Sequence, residues 1–141
     1  IAGYKAINTL DSMIGHRTPR HALFGRVSAR LDDAANWIPA RLTGLVLALV
    51  SARPRAALAA MRRDAPRHRS PNAGWPEAAL AGALGVRLSG PRIYHDRVSE
   101  EPWLNGGAPD PCAADMGRGL ALYVRAMALI GAALAAAGLL A

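Results

Sequence analysis

The sequence ends in sixteen residues without a charged side chain, from Ala126 to Ala141. Tyr123 and Arg125 precede this run, and both residue types are common where a membrane helix meets water. The run is slightly shorter than the roughly 20 apolar residues that a helix needs to cross a bilayer. It predicts a helix over residues 113–141 with a membrane segment at about 126–141. The alternative is an alanine-rich core helix of a soluble bundle.

A second apolar stretch covers residues 34–52, in which Arg41 is the one charged residue. It predicts a membrane segment at about residues 37–52. Arg41 fits such a segment if its side chain faces a pore or snorkels to the surface, or if the helix dips into the bilayer without crossing it. Pro39 is expected to kink or break the helix here, because proline removes a backbone hydrogen bond.

The formal charge is +7, and sixteen of the 17 basic residues are arginine. Such a charge is typical of nucleic-acid binders, of membrane proteins with basic loops and of enzymes for anionic substrates. Six arginines lie within residues 53–69, directly after the second apolar stretch, which is the positive-inside pattern. No aromatic residues alternate with them, as they do in many nucleic-acid-binding surfaces. The single cysteine, Cys112, excludes an internal disulfide framework and a cysteine-based zinc site.

These patterns predict an all-α integral membrane protein with kinked and partly interfacial helices, and a single domain over residues 1–141. Because the sequence opens at Ile1 directly before a helical pattern, we expect it to be the C-terminal part of a larger protein. Residues 86–98 contain two β-like runs around Ser89-Gly90-Pro91 and predict a short β-hairpin. Further helices are predicted over residues 3–15, over 27–53 with Ser28 as N-cap, over 54–69, and from Pro76 to about Gly85.

The first half of the predicted helix 27–53 carries a group of polar side chains. Asp32 and Asp33 supply two carboxylates, and Asn36 adds an amide one turn further on, which are oxygen ligands that suit Mg²⁺. Arg30 and Arg41 are suited to clamping phosphate or carboxylate oxygens. The alternative is a solvated face with ordinary i,i+4 ion pairs. Charged residues next to an apolar span are costly unless they have a function, which keeps both interpretations open.

The string SPNAGWPE, residues 70–77, is the most distinctive local motif. A glycine-containing turn that leads into a helix leaves backbone N–H groups free to bind an anion. Glu77 at the helix start would instead be a base or a metal ligand, and its charge opposes an anion at the same place. The alternative is an ordinary helix start with Pro76 in the first helical position. The four histidines show no metal-binding spacing and are expected in loops or at the surface.

Three strings occur in order along the chain: KAINTLDSMIGHR at 5–17, GRVSARLDDAANWIPARLTGLVLAL at 25–49 and SPNAGWPEAALAGALGVRLSGPRIYHDR at 70–97. Together with EEPWL and ALYVRA further on, they resemble the CobD/CbiB family of cobalamin biosynthesis. The members of this family are integral membrane proteins, the adenosylcobinamide-phosphate synthases.

The resemblance implies an ATP-dependent amide ligation in a multi-pass protein of the cytoplasmic (inner) membrane. The acceptor is a carboxylate of the corrinoid adenosylcobyric acid, and the amine is aminopropanol or its O-phosphate. ATP and Mg²⁺ are the implied cofactors, membrane lipid surrounds the protein, and no nucleic acid is expected. On the family strings we assign three catalytic carboxylates, Asp32, Asp33 and Glu77, of which the first two are also metal ligands. Six further residues are assigned to binding and orienting substrate or phosphate: Arg30, Arg41, Asn8, Asp11, Asn36 and Asn72.

Two other functions stay open from the sequence. One is a non-catalytic membrane scaffold that positions the corrinoid for other enzymes, and the other is a basic, soluble, helical nucleic-acid binder. Partition between detergent and buffer separates the nucleic-acid binder from the two membrane proteins. ATP-coupled amide formation by the full-length protein separates the ligase from the scaffold. The pattern departs from the family in the loop 105–112, so no role is carried over to Cys112.

Overall fold

A computed structural model describes residues 3–6, 8–9, 22–94 and 97–140. The chain divides into two compact units, Ile1–Pro39 and Ala40–Ala141, and each is considered by itself. The described residues are mostly helical, as predicted. The helices are α1 (Ala22–Val50), α2 (Pro54–Asp64), a 3₁₀ turn (Ala65–Arg67), α3 (Gly74–Leu84) and α4 (Ala113–Leu140).

The first unit contains the helical residues 3–6 and 8–9 and the first part of α1. Helix α1 begins at Ala22, so Ser28 is a buried residue inside the helix and the predicted N-cap is wrong. Residues 22–27, ALFGRV, contain no proline that would stop a helix, and their apolar side chains extend the pattern back to Ala22. Pro39 does not break α1, which continues to Val50. Proline removes one N–H donor, and the hydrogen bonds of the following turns still form.

In the second unit, α2 and α3 pack closely because small side chains face each other. A Cβ atom added to Gly82 would lie 2.5 Å from the carbonyl oxygen of Ala56 and 2.8 Å from the Cα atom of Ala57. The high alanine content of the chain therefore allows the two backbones to approach. The core cluster around this contact draws on all four helices and consists of Leu47, Ala48, Ala57, Met61, Ala79, Ala83, Leu122 and Ala126.

Four short strands connect α3 to α4: β1 (Leu88–Ser89), β2 (Arg92–Tyr94), β3 (Arg97–Ser99) and β4 (Trp103–Leu104). The strands β2 and β3 form an antiparallel hairpin in the predicted region, but β1 pairs with β4. The predicted turn at Ser89-Gly90-Pro91 is therefore wrong. Ser89 and Gly90 both have positive φ, and a Cβ atom on Gly90 would lie 2.6 Å from the ring of Trp103. The bend at Gly90 is thus covered by Trp103, which brings β4 to β1 in place of β2.

Helix α4 is long and apolar enough to cross a membrane, and within the described residues it is the one helix that meets this test. Of the residues in its most apolar 18-residue stretch, 11% are buried. A core helix of a soluble protein would bury most of that stretch, whereas Leu134, Leu139 and Leu140 are largely exposed. This exposure fits the predicted membrane segment 126–141. The other predicted segment, 37–52, lies mostly in α1, and its passage through a membrane stays a prediction.

Candidate active site

The first unit holds a polar cluster centred on Asp32. Asn36 lies one helical turn after Asp32, and its Nδ2 donates to Asp32 Oδ2 at 3.0 Å and to the Asp32 carbonyl oxygen at 2.9 Å. Asn8 Nδ2 donates to Asp32 Oδ1 at 3.4 Å, and the Tyr4 hydroxyl donates to Asn36 Oδ1 at 2.7 Å. The i,i+4 spacing of Asp32 and Asn36 made their contact predictable. Tyr4 was missed, because no local pattern links it to a residue 32 positions away.

The remaining residues predicted for this cluster have different placements. Asp33 is half-buried, and it lies about 100° around the helix from Asp32, because an α-helix has 3.6 residues per turn. Arg30 is exposed. Asp11 lies outside the described residues. The structure therefore brings Asn8, Asp32 and Asn36 together and leaves the predicted roles of Asp33 and Arg30 as predictions.

The Asp32 cluster fits one kind of magnesium site. Mg²⁺ commonly binds one or two carboxylates and completes its shell with water and substrate phosphate oxygens. The half-buried Asp32 carboxylate suits this mode, because each of its oxygens has lone pairs beyond those used by the two amides. Across the described ranges no group of three or more His, Cys, Asp or Glu side chains is arranged to hold a metal. The residues fit an ion shared with a bound phosphate and do not form an all-protein cage.

The second unit holds the SPNAGWPE motif in a tight turn before α3. The Ser70 hydroxyl accepts hydrogen bonds from the backbone N–H groups of Asn72 at 3.3 Å and Ala73 at 3.2 Å, which fixes the turn. Helix α3 begins at Gly74, two residues earlier than predicted, so Pro76 is not its first residue. Gly74 permits this start, because a Cβ atom there would lie 2.7 Å from the Ala65 carbonyl oxygen. The turn buries Asn72.

The side chain of His68 faces Glu77. The Ser70 backbone N–H donates to His68 Nδ1 at 3.0 Å, and the same nitrogen lies 3.2 Å from the Ser70 carbonyl oxygen, so the Ser70 backbone fixes this edge of the ring. His68 Nε2 lies 3.6 Å from Glu77 Oε2. The His68 side chain is 9% exposed, whereas that of Glu77 is 41% exposed. Glu77 therefore presents a solvent-accessible carboxylate that faces a largely buried imidazole.

Arg41 joins this cluster through Trp75. Its guanidinium carbon lies 4.4 Å from the centroid of the Trp75 ring, which is a cation–π distance. The ring is fixed in turn by its Nε1–H, which donates to the Pro71 carbonyl oxygen at 3.0 Å. The structure therefore brings Arg41 to the motif that contains Asn72 and Glu77, as part of one unit. Sequence analysis named these three residues but not the histidine and the tryptophan that orient two of them.

A buried carboxylate supports this part of the unit. Asp64, at the end of α2, accepts two hydrogen bonds from Arg63 at 2.9 and 2.7 Å and one from the Asn105 backbone N–H at 2.8 Å. Burial alone would raise the pKa of Asp64, but these hydrogen bonds and the charges of Arg63 and Arg67 outweigh burial and lower it. Asn105 Nδ2 also donates to the carbonyl oxygens of Ala81 and Val86, so it ties β4 to the end of α3.

These features define a class of protein: within the described residues it is mainly helical, with one long exposed apolar helix and with carboxylate, imidazole and guanidinium side chains in the motif 70–77 and its surroundings. The model of the CobD/Cbib protein family matches residues 1–123, and the chain belongs to this family.

The chain is also similar to curated proteins named cobalamin biosynthesis protein CobD. It is 74% identical to the protein of Rhodobacter capsulatus over 128 residues, which are 91% of this chain and 41% of the relative. It is 52% identical to the Brucella suis protein over 143 residues, covering 96% of this chain and 44% of the relative. It is 52% identical to the Mycobacterium tuberculosis protein over 126 residues, which are 86% of this chain and 40% of the relative. The chain thus spans about two fifths of the length of these relatives. No solved structure matches it significantly.

Proposed function

We propose that the protein acts in cobalamin biosynthesis as a membrane-bound amide ligase that makes adenosylcobinamide or its phosphate. Family membership and the names of the relatives support the pathway. The observation that carries the ligase assignment is the cluster in the family motif 70–77, where the largely buried His68 ring faces the accessible carboxylate of Glu77 and the Arg41 guanidinium stacks on Trp75.

The proposed reaction has two steps. A carboxylate oxygen of adenosylcobyric acid attacks the terminal phosphorus of ATP, so that an acyl phosphate forms and ADP leaves. The nitrogen of aminopropanol, or of its O-phosphate, then attacks the acyl carbon, the amide bond forms and inorganic phosphate leaves. The amine enters as an ammonium ion and must lose one proton before the attack and another as the amide forms. The reaction therefore needs a base, cations for the phosphate charge and groups that orient the two substrates.

Glu77 is the base in this proposal. Its carboxylate is accessible to an incoming ammonium ion, attracts that ion by charge and accepts the proton that the amine loses. His68 acts through Glu77 as a positioning residue, because its Nε2 faces the Glu77 carboxylate while Nδ1 is held by the backbone of Ser70. Arg41 supplies positive charge for the substrate carboxylate or for phosphate, and Asn72 orients the turn that carries both groups.

Asp32 is the proposed ligand for Mg²⁺, with Asn8 and Asn36 orienting its carboxylate. When bound, Mg²⁺ would neutralise phosphate charge and raise the electrophilicity of the terminal phosphorus. Asp33, Arg30 and Asp11 keep their predicted roles in metal or phosphate binding. The exposed apolar side chains of α4 support attachment to a membrane. We propose the inner membrane, with several crossings, as its location.

The decisive experiment measures ATP-coupled amide formation by the full-length protein in detergent with adenosylcobyric acid and each amine. We expect Glu77→Gln to lower the rate by about 10²- to 10⁴-fold, the range that general bases contribute. The loss should shrink as the pH approaches the pKa of the amine, because a growing share of the amine has then already lost the first of its two protons. Glu100→Gln, at an exposed glutamate, is the matched control and should keep the rate.

Two results would contradict the proposal. A Glu77→Gln protein with wild-type turnover would remove Glu77 from the site. A wild-type protein that binds the corrinoid but never couples ATP consumption to amide formation would favour the non-catalytic scaffold.

A further inference from the structure

A small basic pocket lies in the second unit, away from the 68–77 turn. It has a volume of about 260 Å³ and is lined by the connection between α1 and α2, the end of α3 and the first half of α4. Its nine lining residues are Ser51, Ala52, Arg53, Ala83, Leu84, Arg118, Ala121, Leu122 and Arg125. Three of these are arginines and none is acidic.

Three guanidinium groups around one small cavity repel each other unless an anion lies between them. Arg118 has a partial counter-charge, because it donates to the carboxylate of Asp115 one turn earlier on α4. Among the described residues neither Arg53 nor Arg125 makes an ion pair. The pocket therefore keeps a net positive charge of about two, which the protein itself does not neutralise.

The packing of the helices fixes the backbone positions from which the arginines extend. Arg118 and Arg125 are seven residues apart and share one face of α4, and Leu122 between them is buried in the core. The Arg53 guanidinium lies over Gly85, where a Cβ atom would come 2.2 Å from its Nη1. Gly85 also has φ 73°, which glycine adopts without strain, so the same residue ends α3 and leaves room for Arg53.

The size and location of the pocket define the ligand. Pockets that enclose whole drug-sized molecules measure about 300–1,000 Å³, so this one suits a small anionic group and not a nucleotide or a corrin ring. Arginine forks match the geometry of phosphate oxygens. Arg125 is also the last charged residue before the apolar residues 126–140, a position where basic residues meet lipid phosphates.

We infer that Arg53, Arg118 and Arg125 form a phosphate-binding pocket, distinct from the site that contains Glu77. The phosphate belongs either to the headgroup of an anionic phospholipid beside α4 or to a small soluble phosphate. Binding is through charge-assisted hydrogen bonds to the guanidinium groups and needs no covalent step.

The test uses the full-length protein in a zwitterionic detergent with two probes. Retention of phosphatidylglycerol relative to phosphatidylcholine is measured by native mass spectrometry, and inorganic phosphate is titrated by calorimetry at constant ionic strength. We expect Arg118→Gln and Arg125→Gln each to weaken binding of the recognised probe by about tenfold or more. Arg62→Gln removes the same charge from an exposed position of α2 outside the pocket, and should bind as the wild type does.

Ala121→Glu is a second variant that keeps all three arginines. It places a carboxylate at the pocket wall, so it should compete with phosphate, abolish binding and leave the protein folded. Glu77→Gln should leave both probes bound, which separates this pocket from the proposed ligase site. The inference is overturned if the wild type binds neither probe, or if all three pocket variants bind them as the wild type does.

Discussion

Asp64 is almost completely buried at the end of α2, and the surrounding donors form hydrogen bonds to its ionised carboxylate. Because its pKa is lowered in the folded protein, ionised Asp64 stabilises the fold above the ordinary value of 3.8. That contribution is lost as the pH falls from 3.8 through the lower folded pKa. We expect Asp64→Asn to reduce the free energy of unfolding at neutral pH by roughly 1–3 kcal/mol, since it leaves buried donors poorly matched.

Denaturant unfolding of the full-length protein in detergent, repeated from pH 7 to below pH 3, measures this effect. The difference between the wild type and Asp64→Asn should narrow in acid, because protonation removes the same charge that the substitution removes. Asp110→Asn is the control: Asp110 also pairs with an arginine, Arg87, at 2.7 Å, but it is exposed and should matter little. A difference between wild type and Asp64→Asn that stays constant down to the lowest pH would refute the assigned role.

Sequence analysis found the site residues whose contacts are close in sequence, and it missed those whose contacts depend on the fold. Asp32 and Asn36 are one helical turn apart, so helix geometry alone joins them. His68 reaches Glu77 because a 3₁₀ turn and the Ser70-centred turn reverse the chain between them. That reversal depends on tertiary packing at Gly74, and no periodic pattern in the sequence encodes it.

At the level of elements, the contact between α2 and α3 depends on the absence of a side chain at Gly82. We expect Gly82→Ala to destabilise the protein by about 1–3 kcal/mol, because the added Cβ overlaps backbone atoms of Ala56 and Ala57, which cannot rotate away. Gly117→Ala is the matched control, since a Cβ atom there meets nothing within 4 Å and alanine favours a helix. Thermal unfolding of both variants tests this, and equal melting temperatures would contradict the close packing.

Helices were easier to predict than strand pairing for a physical reason. The predicted helix 113–141 is found as Ala113–Leu140, because this stretch is dominated by alanine and leucine, which favour helix, and contains no proline. Strands of two or three residues have little intrinsic β-propensity, so contacts with residues distant in sequence determine which strands pair. Here Trp103, fourteen residues after Ser89, decides the pairing of β1.

At the level of the whole molecule, the charge distribution predicts the orientation of α4. Its 28 residues extend about 42 Å at 1.5 Å per residue, more than the roughly 30 Å hydrocarbon core of a bilayer. The arginine-rich segment 53–69 and the pocket arginines Arg118 and Arg125 belong to the same unit as the start of α4. The positive-inside rule therefore predicts that the start of α4 lies in the cytoplasm and its end, near Leu140, on the other side.

Cys112 makes this orientation measurable, because it is exposed directly before α4. In a full-length protein whose other cysteines are serine, a membrane-impermeant maleimide should label Cys112 in inverted vesicles and not in intact spheroplasts. With Cys112→Ser and Leu140→Cys, the labelling should be reversed. Labelling of both positions from one side would mean that α4 lies along the surface. The cytoplasmic orientation matters for the proposed function, because ATP is cytoplasmic and the unit that holds Glu77 must have access to it.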